Sequence, residues 1–149
     1  MKKQAYMIMT VITLVAIAGL STAKAQTSGS TDLRVSIPFA FSVGDKTLSA
    51  GEYTLHCTNP ASDMKTLQLR SHDGRVSVMV RTNSVIGRTQ EDAKLVFNRY
   101  GDQYFFAQAW LPADNIGMQA TKSRSERQLA RELAAARKSK EVVAIAARR

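Results

Sequence analysis

Residues 33–43 read Leu-Arg-Val-Ser-Ile-Pro-Phe-Ala-Phe-Ser-Val, with an apolar side chain at every second position from Leu33 to Val43. Because alternate side chains of a strand leave opposite faces of the pleat, this period of two predicts a strand with one buried face. Pro38 interrupts the stretch, and proline lacks the amide proton that a central strand must donate. We therefore expect the strand to lie at an edge or to bend at Pro38, where a bend would divide it into two short strands.

A β-hairpin is predicted for residues 65–71 and 76–82, which are joined through His72-Asp73-Gly74-Arg75. Asp-Gly is a favoured pair for a two-residue hairpin turn. That turn places Leu69 opposite Val78 and Leu67 opposite Val80 on an apolar face. Gln68 with Met79 and Arg70 with Ser77 then form a mainly polar face.

A second hairpin is predicted for residues 93–100 and 103–111, turning at Gly101-Asp102. Strict alternation assigns apolar side chains to both of its faces. One face receives Leu95, Phe97, Phe106 and Trp110, and the other receives Val96, Phe105 and Ala107. A strand pair of this kind is central in its sheet or has another layer packed behind it.

Further short strands are predicted at residues 46–48, with Leu48 opposite Phe41, and at residues 52–58. Residues 83–92 are expected to form a polar connection. The whole pattern predicts a mainly β domain over residues 33–120, an antiparallel β-sandwich or a partly open barrel of about seven strands, with one C-terminal α-helix.

The period changes after Pro112, and residues 121–149 are expected to form a basic helix and tail. Ser123-Arg124-Ser125-Glu126 has the pattern of a capping box, which begins a helix. Apolar residues, including Leu129 and Leu133, then recur at helical spacing to about residue 137, so the helix should pack through these leucines. Residues 142–147 are apolar but few, and they fit either a last helical turn or a small extra strand.

The N-terminus has the pattern of a cleavable signal peptide over residues 1–25. Lys2 and Lys3 precede an apolar run that ends at Ala23-Lys24-Ala25, a small-x-small cleavage pattern. The apolar run is too short for a stable transmembrane span. Residues 26–32 would then be a flexible leader, and the mature chain would be periplasmic or extracellular.

Positive charge is concentrated at the C-terminus. The formal net charge of the chain is +9, yet residues 26–120 hold nine basic and nine acidic side chains, whereas residues 121–149 hold nine basic and three acidic ones. Arg137, Lys138 and Lys140 interrupt the apolar stripe of the helix, so we single them out as candidate contacts for an anionic surface such as lipopolysaccharide or phospholipid. The alternative is a solvated helix face that maintains solubility. Nucleic acid is not favoured as a partner because no aromatic residue is interleaved among these bases.

Catalytic and metal-binding motifs are not found in the sequence. Its two histidines, His56 and His72, do not occur in a metal-ligand spacing, and no nucleophile elbow or phosphate-binding glycine pattern is present. Ser71-His72-Asp73 is contiguous, so its side chains should point to different faces and cannot form a relay. Cys57 is the single cysteine and shares a face with Tyr53 and Leu55, which favours a buried hydrophobe over a reactive thiol. No catalytic residue and no cofactor are predicted.

Residues 37–53 read Ile-Pro-Phe-Ala-Phe-Ser-Val-Gly-Asp-Lys-Thr-Leu-Ser-Ala-Gly-Glu-Tyr. This stretch resembles a family of small uncharacterised bacterial exported proteins that share a Pro-Phe-x-Phe, Gly-x-x-x-Leu-Pro-Ala-Gly-x-Tyr signature. Residues 94–105 and 122–127 are similar to the same family, and Ser49 departs from it where the family usually has proline. The resemblance implies export and a β-rich fold, and it implies no activity.

The Gly51-x-Tyr53 step also predicts a local structure. Glycine permits a sharp turn into the strand, and the hydroxyl of Tyr53 is then placed to return to nearby backbone, as in the tyrosine corner of β-sandwiches.

The functional hypothesis is a non-enzymatic exported β module that binds an envelope protein or an anionic surface. An alternative is a carrier of a small hydrophobic ligand, with phenylalanines lining the cavity at positions 39, 41, 97, 105 and 106. A further alternative is an enzyme with an unrecognised site.

Overall fold

The computed structural model describes residues 32–136 and 138–148, so the predicted signal peptide of residues 1–25 and residues 26–31 of the predicted leader lie outside the described residues. The described part contains ten strands and one helix. They are β1 (Leu33–Ile37), β2 (Phe41–Val43), β3 (Lys46–Leu48), β4 (Gly51–Cys57), β5 (Met64–Ser71), β6 (Ser77–Ile86), β7 (Lys94–Tyr100), β8 (Gln103–Trp110), β9 (Ile116–Ala120), α1 (Arg124–Ala135) and β10 (Glu141–Ala146). The mainly β class with one C-terminal helix is confirmed.

The predicted count of about seven strands is wrong for several physical reasons. The alternating stretch divides at Pro38 into β1 and β2, as a bend there allows. Residues 83–86 continue β6 instead of forming a connection, because β9 pairs with them from Asn83–Gln119 to Ile86–Ile116. β9 itself was not predicted, and residues 141–146 form the extra strand β10 and not a helical turn.

Hydrogen bonds connect the strands into one sheet in the order β1-β4-β5-β6-β9-β8. β8 also pairs with β7, which pairs in turn with β10, and it touches β2 in parallel at Ser42–Phe105. The sheet does not close along its length. Its edges meet at a single bridge, where Arg34 and Arg148 exchange two backbone hydrogen bonds of 2.6 and 2.7 Å.

The hairpin of β5 and β6 has the predicted register. Leu69 lies opposite Val78, Leu67 opposite Val80, and Gln68 opposite Met79. The leucines and valines are buried, whereas Met79 is 64% exposed. One face of this hairpin therefore belongs to the core and the other faces solvent.

The hairpin of β7 and β8 turns at Gly101-Asp102 as predicted, but the assignment of Trp110 to the core face is wrong. Phe97 lies opposite Phe106, whereas Val96 lies opposite Gln108, so a β-bulge inserts Ala107 into β8. The extra residue reverses the alternation, and Ala109 takes the core position that Trp110 would have had.

The Trp110 ring instead lies against the other face of the sheet, over glycines of the neighbouring segments. A Cβ atom added at Gly117 would be 2.8 Å from the ring, and one added at Gly87 would be 2.5 Å from it. A side chain at either glycine would therefore displace a large, rigid group, so glycine permits this close approach.

Aromatic rings fill the centre of the core. Phe97 contacts Phe39, Phe41 and Phe106 edge to face, with ring centroids 5.3, 5.4 and 6.0 Å apart. Phe41 also meets Tyr53 at 5.3 Å, and the Tyr53 hydroxyl donates a 2.7 Å hydrogen bond to the carbonyl of Ser49, which confirms the predicted return to backbone. Edge-to-face contacts of this kind stabilise by about 0.5–1.5 kcal/mol each beyond their burial.

Candidate partner-binding surface

The helix α1 is fixed to the sheet by a buried carboxylate. Glu126 is only 3% exposed, and it accepts hydrogen bonds from Asn98 Nδ2 at 2.8 Å and from the Tyr100 hydroxyl at 3.3 Å. Asn98 and Tyr100 are buried on the face of β7 opposite the aromatic core. Burial and the neighbouring Glu126 charge raise the pKa of Tyr100 to about 12, because both disfavour the phenolate.

The predicted capping box is confirmed in one half and wrong in the other. Ser123 Oγ accepts the amide proton of Glu126 at 3.1 Å, as an N-cap does. The Glu126 side chain does not return to the Ser123 amide and turns instead to the sheet. Leu129 and Leu133 are only half-buried, so the acid, and not the leucines, is the buried residue of the helix.

The helix ends earlier than predicted. Its last helical residue is Ala135, and Ala136 is the C-cap, whose amide donates to Glu132. The Lys138 amide then donates a 3.0 Å hydrogen bond back to the carbonyl of Leu133. This bond closes the helix in the manner of a Schellman motif.

Three arginines share the exposed side of α1. Arg124, Arg127 and Arg131 are spaced i, i+3 and i+7, so they fall within about 60° around an axis that turns 100° per residue. All three are exposed, and no carboxylate oxygen among the described residues lies within 4.0 Å of their nitrogens. We call these residues the arginine face.

Of the three basic residues singled out from the sequence, the two that the structure describes lie elsewhere. Arg137 is outside the described residues. Lys138 and Lys140 are exposed in the loop between α1 and β10. Lys138 lines a cleft of about 470 Å³ together with Arg99, Asp102 and Glu141, so its surroundings are of mixed charge.

The sequence contains a signal for the arginine face that is separate from the apolar stripe. The stripe points to Arg137, Lys138 and Lys140, because these residues interrupt the spacing of the leucines. The i, i+3, i+7 spacing of Arg124, Arg127 and Arg131 is the better guide, because it places the charges together on the side away from the sheet.

A second surface lies where the edges of the sheet meet. A cleft of about 590 Å³ opens beside the Arg34–Arg148 bridge, and its polar lining includes Ser36, Glu52 and His72. Arg34 and Arg148 are exposed there, and no carboxylate of the described residues pairs with either. The cleft therefore has two arginines side by side in its lining.

The Ser71-His72-Asp73 sequence builds a turn. Ser71 Oγ donates to Asp73 Oδ1, and the Arg75 amide donates to the same oxygen. Both bonds lower the pKa of Asp73, and the bond from Ser71 has the larger effect. The His72 side chain has no hydrogen bond among the described residues, so the three groups are not coupled as a relay.

Other candidate chemical groups are accounted for by packing. Cys57 is half-buried against the core, in keeping with its predicted place on the apolar face, and His56 bonds to Asp32. Among the described residues, no phenylalanine lines the four best-formed clefts. Within residues 32–136 and 138–148, no cluster of three or more His, Cys, Asp or Glu side chains could hold a metal ion.

Comparisons with family models, curated proteins and solved structures found no match. Among the helical residues that the structure describes, no segment is long and apolar enough to cross a bilayer.

Proposed function

We propose that this protein is a non-enzymatic exported β module that attaches to an anionic surface of the bacterial envelope through the arginine face of α1. In this proposal the β domain is a partly open barrel joined at the Arg34–Arg148 bridge, and it serves as a rigid support. The observation that carries the proposal is the placement of Arg124, Arg127 and Arg131 on one exposed side of an anchored helix.

The charge distribution supports this function. Residues 26–120 are neutral, and the surplus of positive charge lies in residues 121–149. The helix contributes three exposed arginines to that segment, and of its two glutamates Glu126 is buried against the sheet. A basic side chain near an anionic bilayer contributes about 1 kcal/mol, so three of them contribute about 3 kcal/mol. That is about a hundredfold in affinity, since about 1.4 kcal/mol corresponds to a factor of ten.

The anchoring of α1 supports the same conclusion. The bonds that Glu126 accepts from Asn98 and Tyr100 hold the opposite side of the helix against the sheet. The arginines then approach a surface together and lose little further backbone freedom, which reduces the entropic cost of binding. The signal pattern of residues 1–25 and the family resemblance of residues 37–53 support an exported location.

Sedimentation with lipid vesicles tests the proposal. The chain from Gln26 is mixed at low salt with vesicles of phosphatidylglycerol and phosphatidylcholine, with vesicles of phosphatidylcholine alone, and with lipopolysaccharide. We expect binding only to the anionic samples, and we expect it to weaken as salt rises, because exposed charges are screened over about 8 Å at physiological ionic strength.

Three sets of substitutions localise the contact. Changing Arg124, Arg127 and Arg131 together to glutamine should weaken binding by about a hundredfold. A matched control removes the same charge from exposed sites on the body, at Lys46, Arg81 and Arg88, and should leave most of the affinity. A third set, at Arg137, Lys138 and Lys140, measures the contribution of the originally predicted residues. Equal weakening by the control set, or no sedimentation by the parent chain, would refute attachment through the arginine face.

A further inference from the structure

The outer edge of β10 presents unpaired backbone groups. The Ala147 amide donates to Ala93 on the β7 side, whereas the Arg148 amide donates to Arg34 on the other side. Because consecutive residues of a strand direct their amides to opposite sides, the outward positions in β10 are Val142, Ala144 and Ala146. Their amides and carbonyls have no hydrogen bond among the described residues. We call these three residues the β10 edge.

The β10 edge also lacks the features that usually protect a sheet edge. Its side chains are small and uncharged, all three are exposed, and Val142 is 61% exposed. Natural edges are commonly blocked by lysine, proline, bulges or very short strands. By contrast, β3 has three residues including Lys46, and β1 is bridged at Arg34 and followed by Pro38.

Positive charges flank the β10 edge at both ends. Lys138 and Lys140 precede it, and Arg148 follows it beside Arg34 at the cleft of about 590 Å³. The acid within the strand, Glu141, already pairs with Arg99 at 3.0 Å. The edge therefore has a neutral centre of small side chains and cationic ends.

This charge pattern disfavours a second copy of the chain as the occupant. Antiparallel self-pairing that uses all three outward residues places Ala144 opposite Ala144 and Val142 opposite Ala146. The same register places Lys140 opposite Arg148, and like charges directly opposite each other in a sheet are destabilising.

We propose that the β10 edge binds an extended peptide segment of a partner protein, which adds to the sheet as a strand and whose apolar centre is flanked by acidic residues. The backbone of the peptide pairs with Val142 and Ala144, as in other cases of strand addition. At Ala146, β1 already lies alongside the strand, and both line the cleft of about 590 Å³. Its acidic ends meet Lys138 and Lys140 on one side and Arg34 and Arg148 on the other. This site shares no residue with the arginine face, so it is independent of the proposed attachment to lipid.

The probe is a synthetic peptide with two glutamates at each end of an alternating valine and threonine centre. A control peptide has the same centre and lysines in place of the glutamates. We expect fluorescence anisotropy to show binding of the glutamate peptide and at least tenfold weaker binding of the lysine peptide. Strong salt dependence should accompany the difference.

Proline substitutions test the backbone pairing. Ala144→Pro removes an outward amide proton and should weaken binding of the glutamate peptide at least tenfold. The variant should still fold, because proline is tolerated in an edge strand where the amide faces solvent. Thr47→Pro is the matched control. Val43 and Lys46 close a two-residue turn, so the Thr47 amide faces the free edge of β3. This control should bind the peptide as the parent does.

A measurement on the parent chain avoids any dependence on the folding of the variants. On adding the glutamate peptide, the amides of Val142 and Ala144 should become protected from hydrogen exchange, while that of Thr47 should not. Failure of the peptide to bind, equal binding to Ala144→Pro, or protection elsewhere would overturn the proposal. A dimer of the free chain whose protected amides are those of the β10 edge would also overturn it, in favour of self-pairing.

Discussion

The hairpins β5–β6 and β7–β8 are built from similar strands, yet one is covered on a single face and the other on both. On β6, Met79 lies on the solvent side and is 64% exposed. On β8, Phe105 occupies the side away from the aromatic core and is 3% exposed. It lies opposite Asn98, whose side chain bonds to Glu126 of α1 on that side. The difference is that α1 packs on the outer side of β7–β8 and not on that of β5–β6. We call α1 and the residues it covers on β7–β8 the second layer.

The second layer differs from the core in polarity. The interior side of β7–β8 is apolar, whereas the side toward α1 contains Asn98, Tyr100 and Glu126. A buried polar group is costly unless its hydrogen bonds are made, and in the described part of the chain no buried side-chain nitrogen or oxygen lacks a partner. The contact between the helix and the sheet therefore depends on directional hydrogen bonds as well as on the fit of the packed surfaces.

The largest effect is expected in the core that both hairpins share. Phe97→Ala removes a fully buried ring that contacts three others, and truncation of a buried aromatic costs about 3–5 kcal/mol. Urea denaturation of the parent and the variant measures the loss. A loss below about 1 kcal/mol would mean that the ring is not buried as described, since surface changes usually stay within about 0.5 kcal/mol.

The second prediction separates the two hairpins directly. Phe105→Ala should cost about 3 kcal/mol, because it removes a buried ring that contacts Tyr100 edge to face. Met79→Ala, at the solvent side of β6, should change stability by less than about 0.5 kcal/mol. Equal costs in chemical denaturation would remove the distinction between a covered and an uncovered hairpin.

The third prediction concerns the polar anchor. Glu126→Ala leaves Asn98 Nδ2 and the Tyr100 hydroxyl without an acceptor, which should cost about 1–3 kcal/mol. Glu126→Gln retains an acceptor oxygen and should cost less. Glu132→Ala is the control on the exposed part of the same helix and should have little effect. If Glu126→Ala is as mild as this control in thermal unfolding, the helix is held by its half-buried leucines instead.

The sequence predicted those parts of the fold that depend on short-range patterns. The register of β5–β6 follows from Asp73-Gly74 and a period of two, and the Tyr53 hydroxyl bond follows from Gly51-x-Tyr53. Both are local, because the turn fixes which residues meet. The N-cap at Ser123 is local in the same way.

The missed features depend on partners far along the chain. The bulge at Ala107 cannot be seen in β8 alone, so alternation misplaced Trp110. β9 is recognisable as a strand from its partners, because β6 and β8 pair with it on its two sides. Glu126 matched a capping box, and its turn toward the sheet required Asn98, 28 positions earlier, on a covered strand.

The last prediction concerns the ionisation of Tyr100 in alkali, which tests whether α1 covers β7 without changing the sequence. The Tyr100 phenol has a pKa of about 12 in the folded chain, against 10.0 for an ordinary tyrosine. Between those values the unfolded chain loses the Tyr100 proton more readily than the folded chain does, so its contribution to stability is complete below pH 10 and is lost as pH rises toward 12. Absorbance titration should show one tyrosine that ionises last, and Tyr100→Phe should remove that step.

Glu126→Gln provides the matched control for this titration, because it removes the carboxylate charge while leaving the ring buried. The last ionisation should move to lower pH in this variant, since the charge of Glu126 is one of the causes of the raised pKa and burial remains as the other. If Tyr100 ionises together with the other tyrosines in the parent chain, then α1 does not cover β7. The two hairpins would then be alike, with one buried face each.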